Sequence, residues 1–328
     1  MAPSPDKKLR LALISGGRSG EHEISLRSAD SVRRALDPAK YEILEYLIDK
    51  RGKWRPGPIL PEPGANAGID VAFPILHGTF GEDGAMQGLL ELAELPYVGA
   101  GVLASAAAMD KAMTKRLCAQ AGLPVVGFRV LDSGAGDPDL PFGFPMFVKP
   151  LNLGSSVGIS KANNRQQLQK ALELAWRYDR KVIVERGVTG REFECGVLGG
   201  DPPSASTPCE IVPSQEFYTY EDKYLLDKAR IDLPANLTAQ QTEEMQGLAV
   251  ACFESVGCEG MARVDFLMDG ETGEFFVNEV NTIPGFTSIS MYPKMWEYSG
   301  IPYAKLLDRL IELALARAAS RRRIQYSR

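Results

Sequence analysis

Two hydrophobic periods run along this chain, and the switches between them mark its elements. "LRLALISGG" is a short apolar run closed by a Gly-Gly turn, and "EISLRSADSVRRAL" follows with Ile24, Ala29, Val32 and Leu36 at helical spacing. "YEILEYLID" and "IDVAFPIL" read as further strands. "GEDGAMQGLLELAEL" sets Met86, Leu89, Leu90 and Ala93 on one helix face. Strands alternating with helices predict a parallel sheet, so residues 1–111 are expected to form one α/β domain.

A helix carrying "MDKAMTKRLCAQA" comes next and ends at a Gly-Leu-Pro break, Gly122 to Pro124. "FPMFVKP" is a strand, "LNLGSSVGIS" a Gly/Ser loop, and "KVIVER" another strand. Between them "RQQLQKALELAWRYD" is an amphipathic helix burying Leu168, Ala171, Leu172, Ala175 and Trp176. These make a second unit, 112–193. The third, 194–328, opens on a strand in "REFECGVLG" and continues as a polar loop from Ser214 to Asn236. Thr238 and Gln241 are a capping-box pair at the start of a helix whose apolar face is Leu248, Ala249, Cys252, Phe253 and Val256. Two strands and a C-terminal helix complete the chain, and its final "RRR" reads as a solvated tail.

Composition narrows the class. The 328 residues are 45% hydrophobic and 24% charged, ordinary usage for a globular protein, and too many for one compact core. The net charge of -5 gives no basic surplus to favour nucleic acid. No apolar run approaches a membrane span, and "MAPSPDKK" lacks a signal peptide's apolar core, so a cytoplasmic location without membrane attachment is expected. Five cysteines without C-x-x-C spacing, beside only two histidines, argue for reduced buried thiols rather than disulfides or zinc.

The chemistry gathers where strands end. "ARVDFLM" and "EFFVNEVN" flank the turn "DGETG". If that turn spans Gly270 to Glu274, Asp265 falls opposite Glu279, and Arg263 opposite Asn281. Opposed side chains lie roughly 5 Å apart. Two carboxylates that close repel, and a Mg2+ ion removes the conflict by binding both along with substrate phosphates. Asn281 adds a neutral oxygen, and Arg263 can neutralise a phosphoryl group. Alternation turns Asn278 to the other face. The competing reading is a solvent-facing hairpin with an Arg-Glu surface pair.

Phosphate contacts have candidates. Lys149 ends an apolar strand, and Gly154, Ser155, Ser156 and Gly158 could cradle phosphate oxygens, although the same loop could be a linker. It is not a P-loop, since it lacks the terminal Lys-Ser/Thr. Lys111 is a second phosphate lysine or a solvated helix residue, and Glu185 is an adenine-hinge acid or part of a surface turn. Glu21, His22 and Glu23 sit in a helix's first turn. They either satisfy its dipole or offer Glu21 to a cationic group at a strand end. His77, next to Gly78 and near Gly81 and Gly84, is either structural or functional.

Taken in order, "GGRSGEHEISLRSA", "LHGTFGEDGAMQGLLELAELPYVGAGVLASAAAMDK", "VKPLNLGSSVGIS", "YEDKYL", "ARVDF" and "NEVNTIPGFTSIS" resemble the D-alanine:D-alanine ligases. These are bacterial ATP-grasp enzymes of peptidoglycan synthesis, and the likeness runs from about Leu11 to Leu313. It implies an α/β fold with α+β elements: a three-domain ATP-grasp chain whose N-terminal domain carries a parallel sheet. It also implies a cytoplasmic homodimer, with ATP held between the central and C-terminal domains.

Residue by residue, the resemblance makes Asp265, Glu279 and Asn281 ligands of two Mg2+ ions, with Mn2+ able to substitute. Lys111 and Lys149 become phosphate lysines, Glu185 and Glu192 contacts to adenine and ribose, and Val188 part of the hinge. Glu21 would hold the ammonium of the first D-alanine, linked by hydrogen bonds to Ser155 and Tyr224. Arg263 and the Gly285 N–H would form the oxyanion site. His77 would serve substrate binding, and Ser290 and Met291 would lie near the second substrate's carboxylate.

The implied reaction forms an acyl phosphate from the first D-alanine, which the second D-alanine's amine then attacks. The segment "YTYEDKYLLDKARID" would be the lid that excludes water. Tyr224 accompanies amine acceptors in these ligases, whereas Phe accompanies hydroxy acids. Another ATP-grasp ligase is disfavoured by Glu21, His77 and Tyr224 together. A non-catalytic ATP-binding regulator is disfavoured by retention of Arg263 and every metal ligand.

Overall fold

A computed structural model describes residues 8–135, 138–155, 157–212 and 230–325. Three sheets carry the architecture. The first contains β1 (Leu9–Gly16), β2 (Tyr41–Ile48), β3 (Trp54–Arg55) and β4 (Val71–Pro74), in the order β3-β2-β1-β4. β1 is parallel to β2 and β4, and β3 is antiparallel at the edge. Leu11 to Ile14 and Val71 to Phe73 are buried, as continuous apolar strands covered on both faces should be. Helix α1 (His22–Ala35) packs Ala29 and Val32 with Leu11 and Leu13, while α2 (Ala85–Leu92) packs Met86 and Leu90 with Ala12 and Ile14.

The second sheet is antiparallel, with β5 (Phe128–Asp132), β6 (Met146–Pro150), β7 (Ser160–Ala162) and β8 (Lys181–Arg186) in the order β5-β8-β6-β7. Helix α5 (Arg165–Ala175) buries Leu168, Ala171, Leu172 and Ala175 against it, and Trp176 remains partly exposed.

The third sheet runs β12-β11-β9-β13-β14, with β10 paired to β9. Its strands are β9 (Gly190–Leu198), β10 (Ser204–Ala205), β11 (Cys209–Val212), β12 (Arg230–Asp232), β13 (Met261–Asp269) and β14 (Phe275–Asn281). Helices α3 (Val102–Met109), α4 (Lys111–Gln120) and α6 (Ala239–Ser255) cover it, with Ala104, Cys118, Cys252 and Phe253 in one core with Phe193 and Phe266. The capping box of α6 is formed: the Thr238 hydroxyl accepts from the Gln241 N–H, and the Gln241 side chain accepts from the Thr238 N–H. All five cysteines are buried and reduced.

Two local expectations change. The polar stretch 214–236 is not wholly loop, because β12 pairs antiparallel with β11 through Ile211 and Ile231. Tyr224 and most of the expected lid lie outside the described residues. The C-terminal "RRR" is not wholly solvated either: Arg321 pairs with Glu91, while Arg322 and Arg323 are exposed.

The chain closes on itself. Helices α7 (Met291–Tyr298) and α8 (Tyr303–Arg321) follow the third sheet, and α8 sets Leu306, Leu307, Leu310 and Ile311 into the same core as Leu11, Val71 and Phe73. Each such fully buried side chain contributes about 1.5–3 kcal/mol. The turn between β14 and α7 is thereby held against the first sheet. Phe286 anchors it, edge-on to Phe73 at 6.0 Å and to Tyr292 at 5.8 Å.

Candidate functional site

The β13–β14 hairpin has the register expected from alternation. Arg263 is opposite Asn281, and Asp265 is opposite Glu279. The turn is tight because the Asp269 carboxylate accepts the N–H groups of Glu271 and Thr272.

Immediately after Asp265 the register slips, so Phe266 pairs with Val277 and Asn278 is left as an extra residue. Such a bulge breaks alternation and re-aims side chains. Asn278 is therefore not turned away from the site: it lines the same cavity as Glu279. That cavity, of about 350 Å3, is the size of a cofactor cleft. It brings together Lys111 from α4 with Lys149, Ser155, Glu185, Val188, Glu192, Asp265 and Glu279 from the strands and loops of the second and third sheets.

At one end of the cavity is a buried charge ring. Glu185 on β8 lies 2.7 Å from Lys149 Nζ and 3.1 Å from Lys115 Nζ. Burial alone would raise the Glu185 pKa, but the two ammonium groups more than offset it and bring it down to about 2. Burial likewise opposes the charge on Lys149, yet Glu185 and then Glu279 raise its pKa. Lys149 also donates to Asn278 Oδ1 at 3.3 Å. Lys111 Nζ donates to the Leu153 carbonyl at 2.6 Å, fixing the start of the Gly/Ser loop. Ser155 stands in the left-handed region at φ +57°, and its buried Oγ has no partner among the described residues, so the expected hydrogen bond to Glu21 is not formed in this structure. A buried orphan hydroxyl on a cavity wall suits a polar ligand.

At the other end Arg263 holds Asp265 in a two-pronged pair, both bonds 2.7 Å, and reaches Glu194 Oε2 at 3.3 Å. The Asn281 amide donates to Asp265 Oδ2 at 3.0 Å. Among the described residues no three His, Cys, Asp or Glu side chains converge as a preformed metal centre. The donor set nonetheless suits Mg2+, which takes one or two carboxylates and completes its shell with water and substrate phosphate. Asp265 and Glu279 supply the carboxylates, Asn281 has an amide oxygen, and the lysines beside them suit the phosphates.

Three hydrogen bonds tie the turn after β14 to α1 and to the loop after β4, and two more brace the groups that make them. The Ile283 N–H donates to Glu82 Oε1 at 3.1 Å, and the Gly78 N–H to Glu82 Oε2 at 2.8 Å. His77 Nδ1 lies 3.0 Å from the Ile283 carbonyl, and Nε2 lies 3.0 Å from Ser28 Oγ, which accepts the Phe286 N–H at 3.3 Å. A carbonyl can only accept, so Nδ1 carries the proton and the Ser28 hydroxyl donates to Nε2. Burial lowers the His77 pKa, which favours this neutral tautomer. Gly285 sits inside the clamped turn, where a Cβ would come within 2.5 Å of Ser290 Oγ.

Glu21 is buried and its side chain does not cap α1, whereas Glu23 is exposed and pairs with Lys50 at 2.7 Å. The carboxylate of Glu21 faces Gly78 and Gly154: a Cβ at these glycines would lie 2.6 Å and 3.4 Å from its Oε2. Glu21 thus stands where the first sheet meets the Gly/Ser loop. Ser290 is the N-cap residue of α7, with its Oγ accepting from the Thr287 N–H at 3.0 Å. The Met291 side chain is buried with Cys209, Ile211 and Met295, which leaves its backbone at the helix end as the part able to meet a carboxylate.

Lys115, Glu82, Glu194 and Ser28 also belong to this constellation, and sequence pattern gives no reason to choose them.

The N-terminal family model for D-ala D-ala ligase matches residues 10–63 and 60–100, and the C-terminal model matches 117–312. A D-alanine–D-alanine ligase of Solibacter usitatus is 61% identical over 324 residues, 98% of this chain and 100% of that protein. Among solved structures, the D-alanine-D-alanine ligase of Coxiella burnetii is 39% identical, with a TM-score of 0.86 over 96% of both chains. The VanG D-Ala:D-Ser ligase of Enterococcus faecalis is 34% identical, with a TM-score of 0.85 over 94% of this chain and 100% of that one. In sequence and in fold, the chain belongs to the D-alanine–D-alanine ligase family.

Proposed function

We propose that this ligase joins two D-alanines at the cleft described above, at the expense of ATP, to supply D-alanyl-D-alanine for peptidoglycan precursors. The observation that carries the reading is the opposition of Asp265 and Glu279 on the wall of a cavity that also holds Lys111 and Lys149. Two facing carboxylates beside two ammonium groups suit a nucleotide triphosphate with its cations.

The adenine end lies at Glu185 and Val188, and the ribose at Glu192. Lys111 and Lys149 meet the phosphates. Asp265, Glu279 and Asn281 would hold two Mg2+ ions, for which Mn2+ can substitute. Bound there, the cations would offset charge on the phosphates as the γ-phosphoryl group moves. Glu21 holds the ammonium of the first D-alanine, orienting its carboxylate toward that phosphoryl group. One carboxylate oxygen attacks phosphorus, ADP leaves, and an acyl phosphate results. The neutral amine of the second D-alanine then attacks the acyl carbon.

Arg263 and the Gly285 N–H stabilise the oxyanion, and phosphate departs with the oxygen it shared. Ser290 and the α7 end at Met291 receive the second carboxylate, and His77 serves the substrate site through the Ile283–Phe286 turn. Tyr224, Ser155 and Glu21 are the route by which the amine loses its proton. Tyr224, outside the described residues, favours an amine acceptor over D-lactate by the family's pattern.

The division into 1–111, 112–193 and 194–328, a homodimeric state and a cytoplasmic location complete the proposal. The division has one sheet centred in each segment, although β9 of the third sheet begins at Gly190, before the last boundary; among the described residues no helix is long and apolar enough to cross a membrane. The test is a coupled assay on purified protein. ATP consumption that requires D-alanine and yields equal ADP, phosphate and dipeptide supports the reading. ATP consumption without D-alanine, or a preference for D-serine or D-lactate, would refute it.

A further inference from the structure

Lys115 is fully buried, yet it does not line the nucleotide cavity. It lies on α4, one turn beyond Lys111, and its ammonium reaches in two directions. One contact is Glu185 Oε1, at 3.1 Å, on the strand that forms the hinge end of the cleft. The other is the carbonyl of Asn278, at 3.2 Å, on the strand that carries the carboxylates. Lys149 closes the ring from the cavity side, 2.7 Å from Glu185 Oε2 and 3.3 Å from Asn278 Oδ1.

Desolvating an ammonium is costly, and a buried ion pair is weak evidence of stabilisation, since well-packed apolar residues often serve as well. The geometry gives this lysine a more specific task. Asn278 is the residue extruded by the β-bulge, so the ladder with β13 leaves it without a strand partner. Lys115 meets its carbonyl instead. The residue after Asn278 is Glu279, whose orientation depends on that bulge being held in place.

We propose that Lys115 is a positioning residue that ties the hinge of the nucleotide cleft to its cation-binding strand. It sets Glu185 for the base and, through the Asn278 carbonyl, Glu279 for the metal. The inference rests on the reading of the cleft as a Mg2+-ATP site. A side chain that orients a ligand from behind affects metal affinity or activity by about 10–100-fold when lost. A lysine that only stabilised the fold would change the melting temperature and the yield of active enzyme, leaving the concentration dependence of each substrate as it was.

The test is Lys115→Met, which keeps length and bulk while removing charge and donors. The measurements are the KM for ATP, the half-saturating Mg2+ concentration, the KM for D-alanine, and thermal stability. The expected result is a rise of about tenfold or more in the ATP KM and in half-saturating Mg2+, with the D-alanine KM within about twofold of wild type. Folded Lys115→Met with unchanged ATP and Mg2+ dependence would overturn the proposal. If that variant does not fold, Lys115→Gln, which keeps a donor for the Asn278 carbonyl but removes the charge facing Glu185, is measured instead: the ATP KM should still rise by about tenfold, and an unchanged ATP KM would overturn the proposal. Failure of both variants to fold would assign Lys115 a structural role and likewise end the proposal. Glu279→Gln is the control for the underlying reading: if it leaves the Mg2+ dependence unchanged, the cation site itself is wrong, whatever Lys115 does.

Discussion

Asp265 and Glu279 face each other across the β13–β14 ladder, and the register slips immediately beyond them. Their opposition accounts for a core hairpin that ends in acids. Burying two like charges side by side is unfavourable unless a cation or a donor intervenes. Asp265 already has Arg263 and Asn281 as donors.

Asp265→Asn and Glu279→Gln should each lower turnover by about two orders of magnitude or more, as expected when a metal's charge stabilisation is lost. The melting temperature should stay within a few degrees, because the apolar face of the hairpin is untouched. Steady-state assays over a Mg2+ series, with calorimetry on the same samples, check both halves. Full Mg2+-dependent activity in both variants would remove the metal assignment.

Ser28 lies far from Gly285 in sequence but takes the N–H of Phe286, the next residue, and passes its own proton toward His77. Ser28→Ala strands both a buried donor and a buried acceptor, which loosens the turn that would present the Gly285 N–H. Turnover should fall by about 10–100-fold, less than the roughly 100–1,000-fold cost of removing an oxyanion donor outright, while the KM for ATP stays put. Equal changes in both constants would place the role of Ser28 elsewhere.

Glu82 has a pH signature. Burial, and then repulsion by Glu21, raise its pKa to about 8, above the 4.5 of an ordinary glutamate. Between those pH values the folded state keeps a proton that the unfolded state has lost. The stability Glu82 contributes is therefore fully present below 4.5 and is lost as pH rises through 8. Glu82→Gln removes this titration. Calorimetric scans at acid, neutral and mildly alkaline pH should show wild type losing melting temperature relative to the variant as pH rises. A gap that narrows with rising pH would contradict the raised value.

Much of the cleft was legible in the sequence, because its residues follow local rules. Alternation and a hairpin turn located Asp265 opposite Glu279, and a strand running into a Gly/Ser loop located Lys149 and Ser155. Asn278 was misread because one extra residue in a ladder reverses every inference from alternation, and nothing in "FFVNEVN" announces the bulge. Lys115 was invisible for a different reason. On its own helix it looks like a solvated lysine, and its burial comes from two sheets that meet only in the folded chain. Glu82 and Ser28 likewise act on a turn some 200 or more residues away. Three-dimensional closure of α7 and α8 onto the first sheet creates those contacts, and periodicity carries no trace of it.

In the proposed reaction a D-alanine carboxylate oxygen attacks the terminal phosphoryl group of ATP before the peptide bond forms. D-alanine labelled with 18O in its carboxylate, incubated with the enzyme, ATP and Mg2+, tests it directly by mass spectrometry of the released phosphate. Each released phosphate should carry one 18O atom, transferred when the second amine displaces it from the acyl carbon. Phosphate free of label, formed alongside dipeptide, would contradict it.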